Sequence, residues 1–388
     1  MGACWLLAAA FAAVVFAAPP AAPTNLTVDQ LDQLLKQIRG QSDAKTARQI
    51  TGIKLTERAS AERIARWEAE LAGDRSREAL MVVTDVSAFL APSAAEMTTM
   101  PMPDAQTQKR ILARCRDYVN QTVPRLPNYF ALRTTTSFIF TTALALESQP
   151  IVDSVFQKKQ GPKVRYQALG PAKSSDAPED QYFLLGSYAD EVTYRGGTEF
   201  VNGTQGTNVP RSSLVTMSTS GDFGSVLEVI VVDFQEDQIA WDHWEMGHSA
   251  PGSIGPLAVF RYAVPSERSH FAVTYPNEQP DFQAYHGEVA IDPESGAVRW
   301  ITLLASGSES GYFSESSQVV EFAPTEIAGV TYICPVHSVA IIRYFEAFEY
   351  ENTAHTPIPS QISINDVAFT KHHLFRSESH ILSGASAP

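Results

Sequence analysis

The sequence predicts an α+β fold in which an N-terminal helical segment precedes a large curved antiparallel sheet, an unclosed half-barrel with one or more covering helices. Three observations predict it. From residue 25 to residue 123 apolar side chains recur at spacings of three and four, the period of an amphipathic helix. After Leu126 the chain becomes dense in Phe, Tyr, Trp and β-branched residues that alternate along short runs, the period of a strand. Turn signals join those runs into consecutive hairpins, and hairpin-joined strands run antiparallel.

The 388 residues leave room for two domains, read as a helical region over 25–123 and a β-rich domain over 124–388. With 44% hydrophobic and 19% charged residues the composition is that of a globular chain, which speaks against wholesale disorder and against a multi-span membrane protein. A formal net charge of -14 repels phosphate backbones and anionic lipid surfaces, so nucleic acid is not an expected partner.

Residues 1–18 read as a signal peptide: the apolar run from Trp5 to Ala18 is too short to span a bilayer, and Val15-Phe16-Ala17 offers small residues near a cleavage point. The signal departs from the pattern in having no Lys or Arg before Trp5. A secreted or periplasmic protein is expected, with no stable membrane span once the signal is removed. Cys115 and Cys334 then remain, in a compartment that permits disulfides. A bridge between them is one reading and two buried free thiols the other, since they lie far apart on elements of different type. Neither belongs to a CxxC or has a His at ligand spacing, so no structural zinc site is read from them.

The elements follow in order. Ala18 to Pro23 is an extended Pro/Ala-rich linker. Val28, Leu31, Leu34, Leu35 and Ile38 form the stripe of a first helix that stops at Gly40. A second helix is read from Asp43 to Ile53, a third begins after Ser60, and a fourth begins at Asp74 with Leu80, Val83, Val86, Phe89 and Leu90 on one face. Asp104 to Val123 is the fifth, ended by Pro124.

The first strand is carried by the alternation Phe130, Leu132, Thr134, Thr136, Phe138 and Phe140. Further strands are expected at Val164–Leu169, Glu191–Tyr194 and Glu199–Val201, with a polar insert from Pro171 to Glu179. Phe223, Val226, Leu227, Ile230, Val231 and Phe234 then return to helical spacing, with Ser220 or Asp222 as the cap; the β-branched run Val229 to Val232 is the argument for a strand instead. A meander is expected through Ile239–Glu245, Leu257–Val264, Ser269–Tyr275, Tyr285–Ile291, Val298–Leu304, Gln318–Phe322, Thr331–Tyr344 and Asp366–Ile381. Asp292 to Gly296 and Glu326 to Gly329 are its clearest turns. The strand from Thr331 to Tyr344 is apolar on both sides, so both faces of the sheet must be covered.

The segments Leu55–Leu71, Val123–Thr135, Ile239–Glu245, Pro256–Pro265, Tyr285–Leu303, Gly329–Val339 and Asn365–Leu382 together resemble a family of uncharacterised secreted bacterial proteins. The resemblance covers most of the mature chain, implies secretion, and carries over no site. More distantly, the C-terminal half resembles the outer-membrane lipoprotein-sorting fold, that of the periplasmic lipoprotein carriers. The tie is the strand that ends in Asp-Pro-x-x-Gly, here Asp292 to Gly296, and what it implies is a curved, unclosed antiparallel sheet with helices in its mouth.

The reactive motifs are weak. Gly247 to Gly252 approaches the GxSxG elbow, but Pro251 stands where the second Gly belongs, so Ser249 reads as a loop residue. Asp242, His243, Glu245 and His248 invite a metal reading, yet the His spacing of five is not that of HExxH, and in a strand His243 and Glu245 point away from Asp242 and Trp244. His372 and His373 point to opposite faces, and His286 and His337 stand alone in sequence. No dinucleotide or phosphate loop is present, and no cofactor, metal or catalytic residue is assigned.

The function that fits best is a non-enzymatic binder of an apolar or amphipathic ligand, such as a lipid, or of an envelope protein. Trp241, Trp244, Phe260, Tyr262 and Trp300 are the candidate liners of its cavity. The alternatives are a secreted hydrolase built around the His243–His248 loop, and an interaction or scaffold module that presents Val28–Ile38.

Overall fold

The computed structural model describes residues 25–121, 123–141, 167–168, 181–195, 198–204, 223–234, 236–249, 252–253, 255–273, 281–307, 313–344 and 362–374. The signal segment, the Pro/Ala linker, the polar insert, the caps Ser220 and Asp222 and the end of the last expected strand lie outside the described residues.

The chain opens with a short strand β1 (Asn25–Leu26) and the helix α1 (Val28–Ile38). Thr27 caps α1 reciprocally: its hydroxyl accepts from the Gln30 amide, and the Gln30 side chain accepts from the Thr27 amide. Next come α2 (Asp43–Ile50), β2 (Lys54–Leu55, parallel to β1), α3 (Ala61–Glu70) and α4 (Asp74–Ser87). α2 stops short of the expected Ile53 because Gly52 takes a left-handed φ of 87° that breaks the helical path. These pieces close a core of their own around Leu31, Ile50, Trp67 and Leu80, in which the Trp67 indole donates to Asp32 at 3.0 Å.

α4 has two apolar sides. Leu80 and Val83 face the helical core, whereas Val82, Met81 and Val86 pack on the sheet. The fifth helix, α5 (Ala105–Gln121), buries Ile111, Cys115 and Val119 against the opposite face of that sheet.

The β half comprises β3 (Tyr129–Thr141), β4 (Gln167–Ala168), β5 (Gln181–Arg195), β6 (Thr198–Thr204), the helix α6 (Phe223–Val232), β7 (Ile239–Glu245), β8 (His248–Ser249), β9 (Gly252–Ser253), β10 (Leu257–Val264), β11 (Ala272–Val273), β12 (Asp281–Phe282), β13 (Tyr285–Ile291), β14 (Val298–Ser306), β15 (Phe313–Ile327), β16 (Val330–Tyr344) and β17 (Ile362–Leu374). Eleven of these strands form one antiparallel sheet in the order β4-β5-β3-β17-β16-β15-β14-β13-β10-β7, with β6 also on β5. Its end strands β4 and β7 do not pair with each other, so the sheet is unclosed. β8 with β9, and β11 with β12, are separate two-stranded ladders.

The fold is therefore α+β, with helices before the sheet and on both of its faces. The bounds of β7, β10 and β13 coincide with those read from alternation, and residues 223–232 are helical, as their three-and-four spacing requires. β15 is three times the length expected, because its Ser- and Glu-rich ends carry no apolar alternation and are held instead by pairing with β16 along its whole length. Within the expected Ser269–Tyr275 strand, only Ala272–Val273 is a strand among the described residues.

Alternation sorts the side chains of the sheet onto two faces. The face under α5 and α6 carries Phe260, Tyr262, Tyr285, Val289, Ile301, Leu303 and Val367 in the largest core cluster. The face under α4 carries Phe138, Val319, Val339, Ile341 and Ile364. Cys115 and Cys334 lie in the first cluster as free, buried thiols; the bridge open to them in sequence is not formed. Burial pushes each thiol up to about 12, in Cys334 against the opposing effect of the neighbouring Tyr129 hydroxyl, so both behave as small hydrophobes.

Candidate functional site

The face under α4 is apolar in its middle and polar along one line. Residues directly opposite one another across six strands give the row His243, Val259, Ala290, Trp300, Glu321, His337. At a strand spacing near 4.8 Å, the two histidines stand roughly 24 Å apart on this row. The helical layer lays charged groups of its own over it.

At the β7 end, the register shifts between Val259 and Phe260, which leaves Asp242 without an opposite residue. This bulge corrects the simple alternation and turns Asp242 towards the side of His243, whose Nδ1 lies 3.1 Å from the Asp242 carboxylate. Glu245 lies 3.6 Å from Nε2, and Arg261 pairs with Asp242 at 3.1 Å. Burial works against a charged His243, but Glu245 and Asp242 outweigh it and hold its pKa above 6.5.

Arg58, from the loop after β2, crosses to the sheet and links β7 to β14. It donates to Glu245 at 2.7 Å and lies 4.3 Å from the centre of the Trp300 ring. Both partners of the Arg58–Glu245 pair are largely buried, at 13% side-chain exposure each, which makes it a desolvated link between the helical layer and the sheet.

At the β16 end, His337 Nε2 lies 2.7 Å from Asp366 of β17, and Glu321 of β15 lies 3.6 Å from Nδ1. Asp85 of α4 comes down on the same spot: one ligand atom each from Asp85, His337 and Asp366 lie within 4.8 Å of one another. Burial opposes charge on His337, and Asp366 and Glu321 reverse that effect and raise its pKa well above the usual range. Burial, reinforced by Asp366, pushes the Asp85 carboxyl well up. Glu68 of α3 is raised for the same two reasons, burial first and Asp366 second.

Beside the row, over β7, β10, β13 and β14, lies a cleft of about 530 Å³. Ala88, Phe89, Leu90 and Leu304 make its apolar wall, and Arg58, Arg261, His286, Glu288, Trp300 and Thr302 its polar floor. The Trp300 indole Nε1 is buried without a hydrogen-bond partner among the described residues. Burial, and then the Asp242 charge, raise the Glu288 carboxyl.

Of the five liners expected from sequence, Trp300 lines this cleft, and Tyr262 touches its edge while its ring packs in the core under α5 and α6. Trp241, Trp244 and Phe260 instead form an edge-to-face aromatic group, with ring centres 5.0 Å and 5.3 Å apart, in or against the core under α5 and α6. Sequence reading missed Arg58, Glu288, Asp85, Glu321, His337 and Asp366. The signal available for two of them was a carboxylate at an apolar position: Asp85 within the Val82 to Val86 run, and Asp366 between Ile364 and Val367. A further buried carboxylate, Asp233, is fully engaged by the Tyr285 hydroxyl at 2.6 Å, the His270 amide at 3.2 Å and the His270 ring.

Compared with family models, with curated proteins and with solved structures, the chain matches none.

Proposed function

We propose that this chain is a non-enzymatic binder of an amphipathic small molecule, held in the cleft between α4 and the sheet, and that it works outside the cytoplasm. The observation that carries the reading is the cleft's content: a volume of about 530 Å³ in which Ala88, Phe89, Leu90 and Leu304 stand beside the cationic groups of Arg58 and Arg261. Small-molecule sites occupy roughly 300–1,000 Å³ and combine apolar lining with a few placed polar groups. An acyl chain fits along Phe89, Leu90 and Leu304, with its carboxylate beside the exposed guanidinium of Arg261. The apolar Trp5–Ala18 run supports export, and the half-open antiparallel sheet with helices on it is the architecture that the lipoprotein-carrier resemblance implies.

Native mass spectrometry of protein purified from an exporting host, before and after organic extraction, tests the reading together with titration of a fluorescent fatty acid. One molecule taken up per chain, with binding weakened at least tenfold by Leu304→Trp and about fivefold by Arg261→Gln, supports it. A bare polypeptide mass together with no uptake of the probe sinks it.

A further inference from the structure

We propose that Asp85, His337 and Asp366 form a site for one divalent transition cation of the zinc or manganese type, enclosed between α4 and the strands β16 and β17. The donor set is one imidazole nitrogen and two carboxylate groups, with ligand atoms within 4.8 Å of one another. Such atoms reach metal-bonding distances of about 2.0–2.2 Å with small side-chain movements. Mixed nitrogen and oxygen donors suit zinc, iron or manganese, whereas calcium takes six or more oxygens.

The independent sign of a ligand is Asp85 itself. It is 2% exposed, and its Oδ2 has no hydrogen-bond partner among the described residues. A buried carboxylate without a donor costs several kcal/mol unless it is neutralised or paired. What the sheet presents to it is another carboxylate, Asp366, with Glu321 and Glu68 close by and His337 as the cationic neighbour. A divalent ion would satisfy the orphaned oxygen and draw the two carboxylates and the imidazole together in one step.

The surroundings of His337 fit the same reading. Nε2 faces Asp366 at 2.7 Å, so on metal binding the Nε2 proton leaves and both atoms turn to the ion. Glu321 lies behind the ring on the Nδ1 side, where an outer carboxylate orients a metal-bound imidazole. His337 and Glu321 keep 31% and 34% of their side-chain surfaces accessible, so the cluster lies near the surface on its Glu321 side.

The test uses the full chain, stripped with EDTA and dialysed. Free Mn²⁺ is followed by its electron paramagnetic resonance signal, and Zn²⁺ by calorimetry and thermal melts. One equivalent should bind with a Kd below about 10 μM and raise Tm. Asp85→Asn and His337→Gln should each weaken binding at least 50-fold. Glu321→Gln, which leaves all three ligands in place, should weaken it about tenfold. His243→Gln, in the other His–carboxylate group of the row, should leave it unchanged. If the Asp85 or His337 variant fails to fold, the wild-type stoichiometry and the Glu321→Gln and His243→Gln titrations still decide. The proposal is overturned by no saturable uptake of either ion, by uptake indifferent to Asp85→Asn and His337→Gln, or by uptake lost in His243→Gln. Because no fatty acid enters these titrations, their failure is separable from failure of the cleft reading.

Discussion

At the scale of residues, the face under α4 is a study in how a charge survives between two packed layers. His243 sits between Asp242 and Glu245, with Arg58, Arg261 and Glu288 close by, and its pKa is raised despite burial. A group whose folded pKa lies above its unfolded value adds stability that is fully present below the unfolded pKa, near 6.5, and that is lost as pH rises through the folded one. His243→Gln should therefore be less stable than the parent by roughly 1–2 kcal/mol at pH 5.5, the worth of hydrogen bonds to charged groups. The deficit should shrink towards zero in alkaline buffer, measured by urea unfolding across the pH range. A deficit that grows with pH would refute the assignment of charge.

At the scale of elements, close contacts of backbone decide what each strand tolerates. An added Cβ at Gly287 of β13 would meet the Thr302 carbonyl oxygen of β14 at 2.0 Å, and that oxygen already accepts from the Tyr262 hydroxyl. Gly287→Ala should cost about 1–3 kcal/mol and lower Tm, since the strands must part at the floor of the cleft. Gly296, at φ +78° in the β13–β14 turn, is fixed for two reasons: a side chain there is strained and would strike the Arg114 carbonyl of α5 at 2.4 Å. Arg114 in turn donates to the Pro293 carbonyl at 2.7 Å, so the turn is docked on α5 as well as bent. Gly296→Ala should destabilise by more than the ~1 kcal/mol that lost glycine freedom alone explains, as a thermal melt would show.

Elements like these were largely legible in sequence. Period and turn chemistry placed β7, β10 and β13 to the residue, together with the helix at Phe223. The row of polar groups was not legible. His337 stands alone in the chain and gains Asp366, Glu321 and Asp85 only through three separate tertiary contacts. Asp242 faces His243 only because of a bulge that alternation does not reveal.

At the scale of the whole molecule, the order of strands matters more than any single pair. β3, the first strand of the large sheet, lies beside β17, the last, and the two are joined along thirteen-residue strands with Ser137 donating to Asn365 at 2.7 Å. A chain ended before Ile362 should lose the centre of the sheet, not an edge. Its two remaining parts, β4-β5-β3 with β6 and β16 through β7, would each expose an unpaired strand. Such a chain should lose its single cooperative melt and become open to limited proteolysis, whereas a nick at the β4 edge should leave both properties intact.

This strand order also sets a clock. During synthesis β3 emerges early and has no neighbour on its β17 side until more than two hundred further residues have followed. Sheets dominated by such distant pairings form slowly. The central seam, and with it the approach of Asp366 to Asp85, is thus withheld until β17 has been made, so the two flanking parts of the sheet are synthesised before the strand that joins them.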